Sequence, residues 1–135
     1  MDDLFSQRCE DVENIMSAMI LVAEQQETAR ASLSDLLRDR GYRVVDAADS
    51  KQAIERINGN LGLQMILLDL EIPACSLVIT HAQHISPNTR ILGMSRQDSC
   101  PDPSEHERLG ILTCFLKPLV FEDVSREIRL ILSIV

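Results

Sequence analysis

The chain has 135 residues, enough for one domain with a real core, of which 45% are hydrophobic and only 3% aromatic. A formal net charge of −8, one Tyr and no Trp argue against nucleic-acid binding through this domain, which needs a basic face and stacking surfaces. The same charge argues against anionic membrane surfaces, and no apolar run is long enough to span a bilayer.

Residues 1–17 read as an extension before the first strand. Phe5, Cys9, Val12 and Met16 fall on one helical face, so the segment suits a helix, and equally a linker, a dimer contact or a disordered tail. It is acidic and has no apolar centre, so it does not read as a secretory leader. The domain proper is expected over residues 18–135, in the cytoplasm.

From residue 19 onward, short apolar runs alternate with amphipathic stretches. Met19 to Ala23 is the first run, Val44-Val45 the second and Met65 to Leu68 the third; Ile91 to Met94 and Ile111 to Leu116 follow. The first, third and fourth lack polar alternation, which predicts strands buried on both faces, as in a parallel sheet. Between the first two strands, Ala29, Leu33, Leu36 and Leu37 recur at helical spacing, and Gly41 stops the helix. Asp49 caps the next helix with Gln52 as its capping-box partner; Ala53, Ile54 and Ile57 form its buried stripe, and Asn58-Gly59 ends it. Val78, Ala82 and Ile85 mark a third helix closed by Ser86-Pro87. Asp102 offers a cap, followed by Pro103 at the first helical position, for a fourth helix that runs only to about Leu109. Phe121, Val124, Ile128, Ile131 and Val135 give the last helix its stripe. The expectation is a flavodoxin-like (βα)5 α/β fold: a five-stranded parallel sheet, doubly wound, with helices on both faces.

In such a sheet the site lies at the carboxyl ends of the strands, beside the switch in strand order. Strand 1 ends in Glu24-Gln25, strand 3 in Asp69 followed by Leu70-Glu71-Ile72-Pro73, strand 4 in Ser95 and strand 5 in Lys117-Pro118. An acid, a second acid, a hydroxyl and a cation therefore converge from four strands. Each has a use in moving a phosphoryl group onto a carboxylate. Asp69 is the nucleophile that becomes an acyl phosphate. Glu24 helps hold Mg2+ against the incoming phosphate. Ser95 donates to a phosphoryl oxygen, and Lys117 pairs with Asp69 or the phosphate as a point charge.

The runs Ile-Leu-Val-Ala-Glu-Gln-Gln, Leu-Leu-Asp-Leu-Glu-Ile-Pro, Ile-Leu-Gly-Met-Ser and Phe-Leu-Lys-Pro-Leu resemble, in order, the four signature segments of response-regulator receiver domains, over about residues 18–135. The resemblance implies phosphotransfer from a histidine kinase or phosphotransfer protein and Mg2+ dependence, with the Glu71 backbone carbonyl facing the metal. It also implies a switch surface for an output domain or partner on helix 4, strand 5 and helix 5. Four positions depart from the pattern. Gln25 stands where the family's second acid contacts the metal, leaving a weaker, neutral oxygen ligand. Cys114 stands at the aromatic switch position of strand 5. Ala-Cys-Ser after Pro73 replaces a Gly-containing turn. Arg96 follows Ser95 where a small residue is common.

The leading function is a receiver domain that accepts a phosphoryl group on Asp69 to switch an interaction surface, catalysing at most its own phosphorylation and dephosphorylation. The alternative is a pseudo-receiver, a phosphorylation-independent interaction module; Gln25 separates the two. A small phosphatase of similar topology lacks support, because no second Asp lies two residues after Asp69. His81 and His84 read as surface residues without a third metal ligand. Cys9, Cys75, Cys100 and Cys114 show no metal or scaffold spacing and read as reduced thiols, with Cys75 and Cys100 both in loops over the site as a minor redox reading. Leu130 and Ile134 extend the apolar surface of the last helix and suit a homodimer face, packing on a continuation of the chain, or simply an exposed apolar pair.

Overall fold

Five strands form one parallel sheet in the order β2-β1-β3-β4-β5. They are β1 (Met19–Ala23), β2 (Arg43–Ala47), β3 (Leu63–Asp69), β4 (Arg90–Ser95) and β5 (Thr113–Leu116). The helices are α1 (Glu27–Asp39), α2 (Ser50–Gly59), α3 (Cys75–Ile85), α4 (His106–Leu109) and α5 (Phe121–Ser133), with a 3-10 turn over Pro103–Glu105 leading into α4. This computed structural model describes residues 18–96 and 98–133. The expectations for residues 1–17, Ile134 and Val135 lie outside the described residues.

The unbroken apolar runs become the inner strands, as their composition requires. Ile20 to Ala23, Met65 to Leu68 and Leu92 are fully buried. Alternate residues of β3 feed two separate cores. Met65 and Leu67 join Ile20, Val22, Leu33, Leu37, Met94 and Ile128 under α1 and α5. Ile66 and Leu68 join Leu21, Ala53, Ile57, Val78 and Ala82 under α2 and α3. Period-two alternation and cover on both faces thus turn one apolar run into two cores.

Local signals set most helix ends. Asp49 Oδ1 accepts from the Gln52 amide at 2.8 Å. Gln52 Oε1 reaches back to the Ala48 amide, also at 2.8 Å, one residue before the cap. Gly41 follows α1 at φ 95° and Gly110 ends α4 at φ 85°, conformations that L side chains rarely adopt.

Five local expectations are corrected. Leu36 is 42% exposed, because the sheet sees the face carrying Leu33 and Leu37. Ile85, the last residue of α3, is also exposed, beyond the reach of the core. Asp102 makes no side-chain cap; Pro103 opens the turn without one. Strand β5 starts at Thr113, not Ile111, because Gly110 and Ile111 still close α4 onto His106. Finally, Cys100 and Cys114 are paired as a disulfide, with Cα atoms 6.4 Å apart, where reduced thiols were expected. The chain folds Cys100 back over β5, so its partner is Cys114 and not Cys75, which is free.

Candidate functional site

The residues named from the strand ends meet at the carboxyl edge of the sheet. Asp69 is the last residue of β3 and is fully buried. Its Oδ1 accepts from the Glu71 amide at 2.9 Å, which fixes the carboxylate against its own turn. The Leu70 amide donates to Met94 O at 2.9 Å, so the chain stays laced to β4 just past the acid. Asp69 Oδ2 is buried and has no hydrogen-bond partner.

Glu24 directly follows β1, held there by its amide on Ala47 O at 3.0 Å. It is 3% exposed. Its Oε2 accepts from the Gln26 amide at 3.0 Å, and its Oε1 accepts from Lys117 Nζ at 2.6 Å. Lys117 is placed by its amide on Ser95 O at 2.8 Å, which carries the β4–β5 pairing one step beyond the strands. Its Nζ also lies 3.4 Å from Asp69 Oδ2 and 3.9 Å from Glu71 Oε2. The Lys117-Pro118 peptide bond is cis. Ser95 ends β4 one position past Met94, the register partner of Asp69. Its Oγ is buried with no partner.

One ammonium thus serves three carboxylates, and the charges redistribute accordingly. Burial works against an ionised Glu24, but the Lys117 hydrogen bond and the Gln26 amide outweigh it and hold the carboxyl below its usual range. Burial and the neighbouring Glu24 carboxylate push Asp69 above the usual carboxylate range. Burial opposes the charge of Lys117, and the hydrogen bond to Glu24 overcomes it, raising the ammonium's pKa.

The structure brings together Glu24, Asp69, Glu71 and Lys117, with Ser95 alongside. Gln25, the residue after Glu24, is exposed beyond the end of β1. Two features were not read from the sequence. Arg96 forms an ion pair with the Glu71 carboxylate, so the side chain of Glu71 is engaged at the rim of the site. A cleft of about 500 Å³ opens beside Glu24 and Lys117, between α1 and the β5–α5 connection, lined by Leu33, Leu36, Leu119 and Phe121. Arg96 was legible as an unusual residue after Ser95, but its partner depends on the fold. Cys75 sits nearby, its Sγ donating to Leu70 O at 3.3 Å, with burial and then the charge of Asp69 pushing its thiol pKa up. His81 bonds Asn58 across α2 and α3 at 2.7 Å, in keeping with a structural surface role. Among the described residues no group of three or more His, Cys, Asp or Glu is set to hold a metal. Among them, too, no helix is long and apolar enough to cross a membrane.

Residues 20–129 match the family model of the response regulator receiver domain. The chain is 25% identical over 117 residues to the sporulation initiation phosphotransferase F of Bacillus subtilis, covering 85% of this chain and 94% of that protein. Its fold matches a CheY-like receiver domain protein from Methanospirillum hungatei with a TM-score of 0.77 at 19% identity, over 86% of this chain and 94% of the other. It also matches, with a TM-score of 0.69 at 19% identity over 83% and 86% of the chains, a structure of the Saccharomyces cerevisiae receiver domain of Ssk1 with the histidine phosphotransfer protein Ypd1. The flavodoxin-like sheet order, the acid at the end of β3 and a family match spanning most of the chain agree: this protein belongs to the response regulator receiver domains of two-component phosphorelay systems.

Proposed function

We propose that Asp69 is the phosphoacceptor of this receiver domain. The observation that carries the reading is Asp69 Oδ2: a fully buried carboxylate oxygen that accepts no hydrogen bond and has the Lys117 ammonium 3.4 Å away as its ion-pair partner. A buried acceptor without a donor is costly unless a ligand or a reaction uses it. The unpartnered Ser95 Oγ on the neighbouring strand is a second such group, and a phosphoryl oxygen would satisfy it.

In the reaction Asp69 Oδ2 attacks phosphorus, the bond from phosphorus to the donor's histidine nitrogen breaks, and the imidazole leaves with its electron pair to take up a proton. The product is an acyl phosphate. Lys117 stays with the new charge, anchored by Glu24, and Ser95 donates to it. The donor set is all oxygen, which suits a hard divalent cation. Glu24, Asp69 and the Glu71 carbonyl would hold Mg2+, with Gln25 offering only a neutral oxygen at the rim. Bound there, Mg2+ supplies charge neutralisation for the incoming phosphate.

The donor is a histidine kinase or histidine phosphotransfer protein, as in the yeast complex. The apolar cleft between α1 and the β5–α5 connection suits a donor helix beside Lys117. The output surface is α4, β5 and α5, where Leu116 and Leu130 are exposed, as is Leu112 between α4 and β5. Leu130, 53% exposed, is also the described part of the homodimer face. We place the domain in the cytoplasm, where histidine kinases present their phosphohistidine.

Incubation with acetyl phosphate and Mg2+, followed by intact mass measurement, tests the acceptor. The wild-type protein gains about 80 Da, the mass of one phosphoryl unit, and Asp69→Ala does not. An adduct that persists in Asp69→Ala, with the variant folded by circular dichroism, overturns the assignment.

A further inference from the structure

The disulfide between Cys100 and Cys114 stands outside the phosphoacceptor chemistry. Cys100 lies in the connection after β4, and Cys114 lies on β5 in register with Gly93. The ring they close spans 14 positions and contains the Pro103–Glu105 turn and the whole of α4. The turn and α4 have little else to hold them, whereas past α4 Ile111 is buried in the core and the Leu112 amide bonds Ile91 O at 2.8 Å. Neither the turn nor α4 contributes a buried side chain, and Leu109 alone of their residues packs against the core. What remains is a set of local bonds, chiefly the Gly110 and Ile111 amides on His106 O and the weak contact of His106 with Pro101 O. Both residues are only partly buried, so neither sulfur is sealed in the core.

We propose that Cys100–Cys114 is a reversible redox site whose disulfide pins the α4 segment to β5 and whose reduction frees it, changing how fast Asp69 is phosphorylated. In reduction, the thiolate of a small thiol such as glutathione attacks one sulfur and the S–S bond breaks, leaving a mixed disulfide and a protein thiolate. A second thiol displaces the first, so two thiols become one low-molecular-weight disulfide. The protein gains two hydrogens as Cys100 and Cys114 thiols. Oxidation by that same class of disulfide runs the exchange backward. The coupling to Asp69 rests on the phosphoacceptor reading above and follows from the chain. Ser95, whose buried Oγ awaits a partner, lies five residues before Cys100. Any shift of Ser95 toward a phosphoryl group pulls on the connection that follows it. With the connection tied to β5, that movement is opposed, and the unphosphorylated arrangement is favoured.

The test uses the full chain with its four cysteines. The protein is equilibrated in glutathione buffers of graded ratio, quenched in acid, alkylated with N-ethylmaleimide and weighed intact. The expected result is a single step between four and two alkylated thiols, absent in Cys100→Ser. No step across the series, a step that survives in Cys100→Ser, or an end state that is a stable glutathione adduct overturns the site. In hydrogen exchange, residues 100–109 exchange about tenfold faster or more in the reduced form; equal exchange overturns the pinning. Acetyl phosphate labels the reduced form about fivefold faster than the oxidised form. Equal, measurable rates overturn the regulation and leave Asp69 as acceptor. Labelling of neither form removes the acceptor reading and the regulation with it, while the alkylation and exchange results still decide the redox site.

Discussion

At Asp69 the fold holds a carboxylate where water cannot reach it and beside a second carboxylate that takes the first claim on Lys117. Burial and Glu24 raise its pKa, so the ionised form costs the folded state free energy that the unfolded chain does not bear. That penalty is fully present above the folded pKa. It disappears as pH falls through that value toward the unfolded one, about 3.9. Asp69→Asn is therefore expected to raise the melting temperature by roughly 3–6 °C at pH 7, with the gain shrinking in acid. Thermal melts at pH 7 and pH 4 check both the gain and its slope; an unchanged or lower melting temperature at pH 7 contradicts the charge argument. Because only the ionised form attacks phosphorus, acetyl phosphate labelling should also fall off at a higher pH than an ordinary aspartate would give. Gln25 is the other residue with a sharp consequence. On the proposed Mg2+ site it leaves the donor set one carboxylate short, so Gln25→Asp should tighten Mg2+ binding. A carboxylate near a divalent ion attracts it strongly, but desolvation cancels most of the gain, leaving about 5–150-fold in affinity. An NMR titration with Mg2+ reads this directly, and equal or tighter binding by the wild-type protein would show that Gln25 is no handicap.

Among the elements, the turn after β3 carries the clearest local cost. Ala74 precedes α3 in the left-handed region, at φ 61° and ψ 29°, where a Cβ crowds the carbonyl. The departure was visible in the sequence as Ala-Cys-Ser in place of a Gly-containing turn, and its conformation is the one that glycine adopts freely. Relief of the strain exceeds the extra freedom glycine gives the unfolded chain, so Ala74→Gly should stabilise the fold by about 0.5–1 kcal/mol. Urea denaturation at unchanged slope checks it, and a loss of stability would mean the turn gains from the alanine methyl. Helix α2 was legible down to its cap, because Asp49 and Gln52 act on amides within four residues. Leu36 and Ile85 were misread because spacing places an apolar residue on a face without saying how far the neighbouring layer extends. Leu36 instead lines the cleft beside Lys117.

For the molecule as a whole, stability resides in β3. Its alternate side chains belong to different cores, so no single helix covers them all. Leu67 is fully buried between the sheet and the α1–α5 layer, and Leu67→Ala should cost about 2–5 kcal/mol. Chemical denaturation measures this, and a loss below about 1 kcal/mol would mean that the core collapses around the cavity. The arrangement of (βα)5 units and the residues at the strand ends were already written in the sequence. Apolar runs without alternation demand cover on both faces, and parallel strands put all their carboxyl ends on one edge. Those signals are local in the chain, a few residues long, and survive without knowledge of any neighbour. Which acid Lys117 prefers was not legible there, nor the exposure of Gln25, the partner of Arg96, or the pairing of Cys100 with Cys114. Each depends on distances between side chains from separate strands and loops, which only the packed sheet sets.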